Sequence, residues 1–299
     1  MSWRTVVVAS SAKLDYQMGY LVIRKEEITK IHLSEISILI IENTAVALTA
    51  ALLCELTKKK IKVVFCDEKR NPSSELIPYY GSHDTSAKIR KQITWSEQAK
   101  KAVWTEIVSE KIKQQAEHLE IYSKPEASML YSYIHEITFG DETNREGHAA
   151  KVYFNALFGK DFTRTEDNSI NAALNYGYGI ILSCFTREIV ANGYLTQLGV
   201  FHDNMFNQFN LASDLMEPFS PIVDRVVVRL NPQQFEHDEK VEILRLLENE
   251  VVIANRKEYV NNAIAIYTRS IFEALNDNDA SLIKFYRIEQ SIYESDSVF

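Results

Sequence analysis

The stretch Pro78-Tyr79-Tyr80-Gly81-Ser82 marks the point at which the periodicity of this sequence changes. Before it, short runs rich in β-branched residues predict strands, and after it apolar residues recur at helical spacing. A proline and a glycine this close together are typical of a boundary between structural units. We therefore predict an α+β protein with a small β-rich N-terminal domain, residues 1–80, and a larger all-α C-terminal domain, residues 81–299.

The N-terminal domain is predicted to contain several strands and one helix. Residues 28–33 alternate apolar and polar side chains, which indicates a half-buried strand, and residues 36–41 indicate a more fully buried one. Glu42-Asn43-Thr44 offers a cap for a helix over residues 45–59, and Asn71-Pro72-Ser73-Ser74 is typical of a turn. The remaining predicted strands cover residues 5–9, 20–24 and 61–66.

The C-terminal domain begins with one long predicted helix, residues 84–123, whose apolar stripe includes Trp95, Val103, Ile107 and Ile112. No long strand pattern reappears after it. The other predicted helices cover residues 142–158, 169–194, 211–228, 237–248 and 260–275.

Composition is typical of a soluble globular protein, since 25% of the 299 residues are charged and 46% are hydrophobic. The net charge of −8 argues weakly against a nucleic-acid partner, because phosphate neutralisation calls for a basic surface. Most of the excess negative charge lies in residues 231–299, which carry a net charge of −6, whereas residues 1–230 carry −2. A local basic face is therefore compatible with the first part of the chain.

The three cysteines, Cys54, Cys66 and Cys184, have no zinc-ligand spacing and are expected to be buried free thiols in a reducing compartment. Residues 1–4 do not begin a secretory signal, and an apolar run such as residues 36–41 is too short to span a bilayer. We therefore expect a cytoplasmic protein with no membrane partner.

No glycine-rich phosphate loop, serine elbow or Cys-x-x-Cys pair occurs, so nucleotide-dependent and acyl-transfer enzymes lose their usual support. A set of carboxylates and histidines remains. Glu146 lies one turn before Ala149 and Ala150 on the apolar face of a predicted helix, which points its carboxylate toward packed helices and calls for a cation. The alternative is an ordinary first-turn Glu, or a capping partner of Thr143.

Two further segments carry candidate ligands. His202 follows an apolar run, a position that suits either a metal ligand or a core histidine bonded to a backbone carbonyl. Asp214 and Glu217 are three residues apart and share one face of a helix, and Asp224 joins that side if the helix continues. Two carboxylates and one imidazole suit a hard divalent ion, Mg²⁺ or Mn²⁺ ahead of Zn²⁺.

Two prolines lie within this acidic segment. Pro218 and Pro221 each remove a backbone donor, which predicts a kink in the helix between Asp214 and Asp224.

With these residues in view, the sequence resembles the CRISPR-associated spacer integrases, the universal Cas-one family, in the form found in type II systems that also carry the Cas-nine effector. The resemblance extends from about Trp3 to Lys284 and is densest in residues 141–159, 171–178 and 198–224. These three blocks are specific when taken together, although none would be specific alone.

The family's metal site consists of a Glu from the first block, a His from the third and an acidic residue downstream, which match Glu146, His202 and Glu217 here. The resemblance implies that these three residues are catalytic and hold Mg²⁺ or Mn²⁺. Asp214 is the neighbour expected to support them. Family members often have Arg before the second proline of the last block. This chain has Ser220 there, so no phosphate contact is assigned to that position.

The resemblance also implies a function in antiviral defence, as a CRISPR adaptation integrase with associated DNA endonuclease activity. Such a protein inserts short foreign duplexes, the spacers, at the leader end of a repeat array by metal-dependent transesterification. Its N-terminal domain forms a homodimer and its C-terminal domain is catalytic. Two homodimers flank one dimer of the small ferredoxin-like Cas-two partner, and the type II form adds the effector nuclease as a candidate partner.

Double-stranded DNA of variable sequence is expected to be held mainly through its phosphates. The preferred DNA face is Lys88, Arg90 and Lys91, because Arg can bind a phosphate through two parallel hydrogen bonds. Asn175 and Tyr178 fit DNA contact and packing equally well. The other basic candidates, which are more often solvated surface, are Lys58-Lys59-Lys60, Lys100-Lys101, Lys151 and Arg164.

Two other functions stay open on the residues alone. A phosphohydrolase would use the His202-Asp203 doublet as metal ligands, together with His148 and Asp224. A binding or scaffold protein would use its carboxylates only structurally, and the net negative charge favours this reading.

Overall fold

The computed structural model describes residues 4–79 and 82–288, and the chain divides into two compact units, Met1–Thr85 and Ser86–Phe299. Tyr80 and Gly81 of the predicted linker lie outside the described residues. The predicted fold class is confirmed, because the first unit is β-rich and the second is largely helical.

The first unit contains eight described strands and one helix. They are β1 (Arg4–Val8), β2 (Lys13–Gln17), β3 (Tyr20–Arg24), β4 (Ile28–His32), β5 (Ile36–Ile41), β6 (Ala47–Leu48), α1 (Ala50–Lys58), β7 (Lys62–Cys66) and β8 (Pro72–Glu75). Strands β1, β5 and β7 are parallel neighbours, and β8 is antiparallel at the edge of this sheet. The second sheet has the order β4-β3-β2-β6. Strand β5 is buried along its whole length, as its apolar sequence predicts.

Several local predictions for the first unit are wrong. Helix α1 begins at Ala50 rather than at residue 45, because β6 first pairs with β2. The cap is Thr49, whose Oγ1 accepts a hydrogen bond from the Leu52 N–H at 3.4 Å, and not Asn43 or Thr44. The predicted turn at Asn71-Pro72-Ser73-Ser74 falls largely within β8, which tolerates Pro72 as the first residue of an edge strand. Strand β2 was not predicted.

The cysteines only partly follow the sequence expectation. None of the three forms a disulfide bond, and Cys66 and Cys184 are buried, but Cys54 is exposed on α1. An apolar helix can leave one small side chain outside its buried face, and here that face is formed by Leu52 and Leu56.

The second unit is built from helices and one hairpin. They are α2 (Thr85–Ile93), α3 (Glu97–Ile121), α4 (Glu126–Glu136), α5 (Arg145–Phe158), α6 (Ser169–Ala191), α7 (Asn210–Met216), α8 (Ser220–Leu230), α9 (His237–Leu244), β9 (Glu250–Ile253), β10 (Arg256–Tyr259) and α10 (Val260–Asp277). A 3₁₀ turn, Glu217–Phe219, joins α7 to α8. Helix α4 and the β9–β10 hairpin were not predicted. Within the described ranges, no helix has the length and apolar character needed to cross a bilayer.

Helix α3 is central to the second unit and packs against α4, α5, α8 and α10. Its predicted apolar stripe is confirmed, because Val103, Ile107 and Ile112 are all buried. The single long helix predicted over residues 84–123 is wrong, because the chain leaves the helix between Ile93 and Glu97. The Ser96 hydroxyl oxygen accepts the Ala99 N–H at 3.1 Å, which starts α3 as a separate helix.

Candidate active site

A cavity of about 260 Å³ in the second unit collects several of the residues singled out above. It is lined by residues of α3, α5, α6, α7 and α8, of the loop after α5 and of the 3₁₀ turn. Its ionisable lining residues are Lys111, Glu146, Arg164, Tyr178, Glu217 and Asp224. Three carboxylates thus face two permanent or near-permanent cations in one small space.

Glu146 reaches this cavity from the first turn of α5. Asn144 caps the helix from a left-handed conformation, φ 53°, and its Oδ1 accepts the Gly147 N–H at 3.2 Å. The Asp141 carboxylate accepts the N–H groups of Arg145 and Glu146 at 2.8 and 3.0 Å. These residues satisfy the helix start, so the Glu146 side chain has no capping duty and Thr143 is not its capping partner.

Lys111 is the cation on which Glu146 and Glu217 converge. Lys111 is only 7% exposed, and its ammonium donates to one carboxylate oxygen of each. Burial alone would lower the pKa of Lys111, but the charges of Glu217 and Glu146 outweigh it and raise that pKa above its ordinary value. Lys111 is therefore a permanent positive charge held between two carboxylates.

The two carboxylates differ in their surroundings. The Lys111 charge lowers the pKa of Glu146, whereas burial raises the pKa of Glu217. Glu217 begins the 3₁₀ turn directly after α7 and is followed by Pro218, which has no N–H for a continuing helix. The predicted interruption at the prolines thus lies where Glu217 turns toward α3.

His202 is held by Asp214 and not by a backbone carbonyl. Its Nδ1 lies 2.5 Å from Asp214 Oδ1, and the buried Asp214 carboxylate also accepts the N–H groups of Val200, Phe201 and His202 at 2.6, 3.0 and 3.1 Å. This hydrogen bond raises the pKa of His202. The loop fits because of Gly199, where a Cβ would lie 2.2 Å from the His202 carbonyl oxygen.

The carboxylate oxygens of Glu146 and Glu217 and the imidazole nitrogen of His202 are donor atoms that suit a hard divalent ion. Nδ1–H pointing at a carboxylate leaves the Nε2 lone pair of His202 for a ligand, the arrangement that usually orients a metal-bound histidine. His202 lies close enough for its charge to act on both Glu146 and Glu217. In the described part of the chain, however, no three His, Cys, Asp or Glu side chains are gathered as a preformed metal cluster, and the Glu146 and Glu217 carboxylates are both paired with Lys111.

Asp214, Glu217 and Asp224 do not form one acidic stripe, contrary to the sequence pattern. Asp214 turns to the His202 loop, and Glu217 turns to α3. Asp224 lies on α8 and accepts a hydrogen bond from the Tyr178 hydroxyl. The change from α-helix to 3₁₀ turn at Glu217 alters the angle between successive side chains, which separates the three directions.

Arg164 also lines the cavity. Its guanidinium donates to Asn175 Oδ1 at 2.7 Å and to the Asn171 side chain, and it lies 5.3 Å from the centre of the Tyr178 ring. In this structure, Asn175 therefore holds Arg164, and Tyr178 holds Asp224. These hydrogen bonds are compatible with a contact between DNA and Asn175 or Tyr178, since Tyr178 also lines the cavity.

The three residues of the preferred DNA face, Lys88, Arg90 and Lys91, differ in exposure. Lys88 is partly buried, with its ammonium 3.3 Å from the Asn192 carbonyl oxygen and 5.4 Å from the centre of the Tyr194 ring. Arg90 and Lys91 are exposed in the last turn of α2. Only the last two thus have the exposure that a phosphate contact needs.

The residues of the phosphohydrolase alternative are not brought together. His148 and Asp203 are exposed, whereas Asp224 is buried against Tyr178. Sequence reasoning missed Lys111, although its position four residues after Ile107 places it on the buried face of α3. A lysine at helical spacing within an apolar stripe was the available signal.

Comparison with known proteins gives consistent results. Residues 5–250 match the family model described as CRISPR associated protein Cas1. The chain is 37% identical over 235 residues to the CRISPR-associated endonuclease Cas1 of Neisseria meningitidis serogroup C (strain 8013), covering 78% of this chain and 77% of that protein.

Two solved structures show the same fold. A casposase bound to integration product has a TM-score of 0.77 at 17% identity, covering 99% of this chain and 98% of that one. A Cas6-RT-Cas1–Cas2 complex has a TM-score of 0.73 at 17% identity, covering 94% of this chain and 36% of that longer chain. Because the family model spans most of the sequence, this chain belongs to the Cas1, or Cas-one, family of CRISPR-associated proteins.

Proposed function

We propose that this Cas1 protein is a metal-dependent DNA integrase and endonuclease of CRISPR adaptation. The observation that carries the proposal is the convergence of the Glu146 and Glu217 carboxylates on one cationic position, near an imidazole oriented by Asp214. Reactions at phosphate esters need charge neutralisation and positioning more than a covalent nucleophile. A cavity with this composition suits them.

Glu146, Glu217 and His202 would hold Mg²⁺ or Mn²⁺, with Nε2 as the donor atom of the histidine. When bound, the ion supplies charge neutralisation at the scissile phosphate and lowers the pKa of the attacking hydroxyl. Asp214 positions the imidazole through Nδ1 and does not itself need to touch the ion.

The joining reaction is a transesterification. The 3′-oxygen of an incoming spacer strand forms a bond to the phosphorus of a repeat phosphodiester, and the bond from that phosphorus to the neighbouring 3′-oxygen breaks. The displaced strand takes up a proton and ends in a new 3′-hydroxyl. Water in place of the 3′-hydroxyl gives the endonuclease reaction.

Arg164 is the residue we expect to contact the phosphate. It lines the same cavity as Glu146 and Glu217, and its planar group can donate two hydrogen bonds to one phosphate. Ser220 also lines the cavity, but its hydroxyl donates to the Glu217 carbonyl oxygen at 2.9 Å. Arg164 therefore supplies the guanidinium that position 220 lacks in this chain.

Similarity to the solved complexes supports double-stranded DNA and a Cas2 protein as partners. The proposal keeps the rest of the expected assembly: a homodimer formed through residues 1–80, catalysis by residues 81–299, two homodimers around one Cas2 dimer, and contact with the type II effector. A cytoplasmic location follows from a function on cellular and invading DNA.

The test is a joining assay with the purified protein and its Cas2 partner. A labelled duplex with free 3′-hydroxyls is incubated with a supercoiled plasmid that carries a leader and repeat, in Mg²⁺ or Mn²⁺. We expect label at the repeat border, lost with EDTA and in Glu146→Gln, Glu217→Gln and His202→Ala. Glu142→Gln is the matched control, because Glu142 is an exposed carboxylate that pairs with the partly exposed Lys101 at 2.6 Å.

Two results would contradict the proposal. Hydrolysis of simple phosphoesters without joining, lost in Asp203→Ala, would support the phosphohydrolase. Joining that persists when all three proposed ligands are replaced would show that these residues have only a structural role.

A further inference from the structure

Lys111 is buried between two acidic side chains that come from different elements. Lys111 lies on α3, Glu146 lies on α5, and Glu217 begins the 3₁₀ turn after α7. The sequence separations are 35 and 106 residues. The single ammonium therefore joins three parts of the helical unit at the wall of the cavity.

The charges at this point do not balance. Two carboxylates carry two negative charges, and one lysine neutralises one of them. A divalent ion would neutralise both, and it binds carboxylate oxygens at about 2.0–2.1 Å in the case of Mg²⁺. A protonated amine has no lone pair, so it cannot serve as a ligand and cannot share the space between the same two oxygens with the ion.

We infer that Lys111 is an exchangeable counter-ion, which holds Glu146 and Glu217 together in the metal-free protein and leaves their midpoint when a divalent ion binds. This inference rests on the proposed function, because it takes the two carboxylates as metal ligands. Without a cation, two partly buried carboxylates that lie this close together would repel and separate. Lys111 thus keeps the carboxylates close together in the metal-free protein but occupies the position that the ion needs, so its net effect is to lower the affinity for the ion.

The displaced ammonium has a place to go. Lys111 already lines the 260 Å³ cavity that contains Arg164, and its four-carbon stem allows the ammonium to move while α3 stays in position. A phosphate in the cavity would accept from both cations. The exchange would then move one positive charge from the metal ligands toward the substrate.

The first test measures Mn²⁺ affinity of the full-length protein by calorimetry and by the electron paramagnetic resonance of free Mn²⁺. If Lys111 occupies the carboxylates about nine-tenths of the time, it lowers the apparent affinity about tenfold, so Lys111→Met should bind Mn²⁺ about ten times more tightly than the wild type. Lys101→Met is the matched control on α3, because Lys101 pairs with the exposed Glu142. Unchanged or weaker binding in folded Lys111→Met would overturn the inference.

A second measurement uses only the wild-type chain, in case Lys111→Met does not fold without metal. Lysines are acylated with a water-soluble reagent, and the labelled peptides are counted by mass spectrometry with and without Mn²⁺. We expect labelling of Lys111 to rise severalfold with Mn²⁺ and labelling of Lys101 to stay constant. No change at Lys111 under conditions in which Mn²⁺ is bound would refute the exchange.

Failure of the proposed metal site is distinguishable from failure of the exchange. If Glu146→Gln and Glu217→Gln bind Mn²⁺ as the wild type does, these carboxylates are not its ligands and both proposals fall. If these substitutions abolish binding but Lys111→Met leaves it unchanged, the metal site stands and only the exchange is wrong.

Discussion

The Asp214 carboxylate lies 2.5 Å from the His202 ring, between Oδ1 and Nδ1, and also accepts three backbone N–H groups of the segment that carries His202. One buried side chain therefore sets both the path of this loop and the rotation of the imidazole. Because Nδ1 donates in this bond, the neutral imidazole keeps its lone pair at Nε2.

Replacing Asp214 by Asn removes the charge that accepts these hydrogen bonds. We expect metal affinity to fall by about 10- to 100-fold, as for other groups that orient a metal-bound histidine. We also expect the free energy of unfolding to fall by about 3 kcal/mol, because the amide keeps only one of the two acceptor oxygens and its NH2 group faces N–H donors. Calorimetry with Mn²⁺ and urea unfolding measure the two effects. Asp203, the exposed residue that follows His202, provides the control Asp203→Asn. Equal effects of both substitutions would refute the role of Asp214 in positioning His202.

Gly199→Ala tests the fit of the same loop without changing a charged group. The added Cβ would lie 2.2 Å from the His202 carbonyl oxygen and 2.7 Å from Asp214 Oδ2, so the backbone must move. We expect a loss of about 1–3 kcal/mol in unfolding free energy, with weaker Mn²⁺ binding. Urea unfolding measures the unfolding free energy, and calorimetry measures Mn²⁺ binding. Wild-type values for stability and binding would mean that the loop does not need this close approach.

Asp224 gives a prediction on pH. Burial raises the pKa of Asp224 to about 6, above its ordinary value of 3.8. The folded state therefore favours the neutral carboxyl, and this contribution to stability is complete below about pH 4 and is lost as pH rises through 6. Asp224→Asn stays neutral throughout. Between pH 4 and 7 we expect the wild type to lose up to about 3 kcal/mol relative to the variant.

The measurement is urea unfolding of both proteins at several pH values. The exposed Asp161 provides the control Asp161→Asn, for which the difference from the wild type should stay nearly constant with pH. A wild type that gains stability relative to Asp224→Asn as pH rises would show that the Asp224 carboxyl is stabilised in its charged form.

The basic residues of α2 give a prediction on DNA affinity. Arg90→Ala removes one exposed cation, so binding of duplex DNA should weaken and the slope of log K against log salt should fall by about 0.9 for one lost phosphate contact. Lys30→Ala on β4 is the control with an exposed lysine outside the preferred face. Fluorescence anisotropy at several salt concentrations measures both. Equal slopes for Arg90→Ala and the wild type would remove Arg90 from the DNA face.

The elements that the sequence predicted best are those whose side-chain pattern is local. Residues 36–41 form a buried strand with the predicted bounds, and residues 20–24 form a strand with the predicted bounds in which Tyr20 is exposed. Strands β6 and β8 were missed because each exists only through pairing, β6 with β2, which is distant along the chain, and β8 with the edge of its neighbour β7. A segment as short as β6 or β8 becomes a strand only when such an edge is available.

The sequence by itself determined the α+β class, the family and the residue types available for chemistry, including Glu146, His202 and Glu217. Only the tertiary structure decided which charges meet. Lys111 contacts carboxylates that are 35 and 106 residues away, and that contact depends on how α3 packs against α5 and the 3₁₀ turn. Helical periodicity places a side chain on a face of its own helix, but the partner on the opposite face is set by packing in three dimensions.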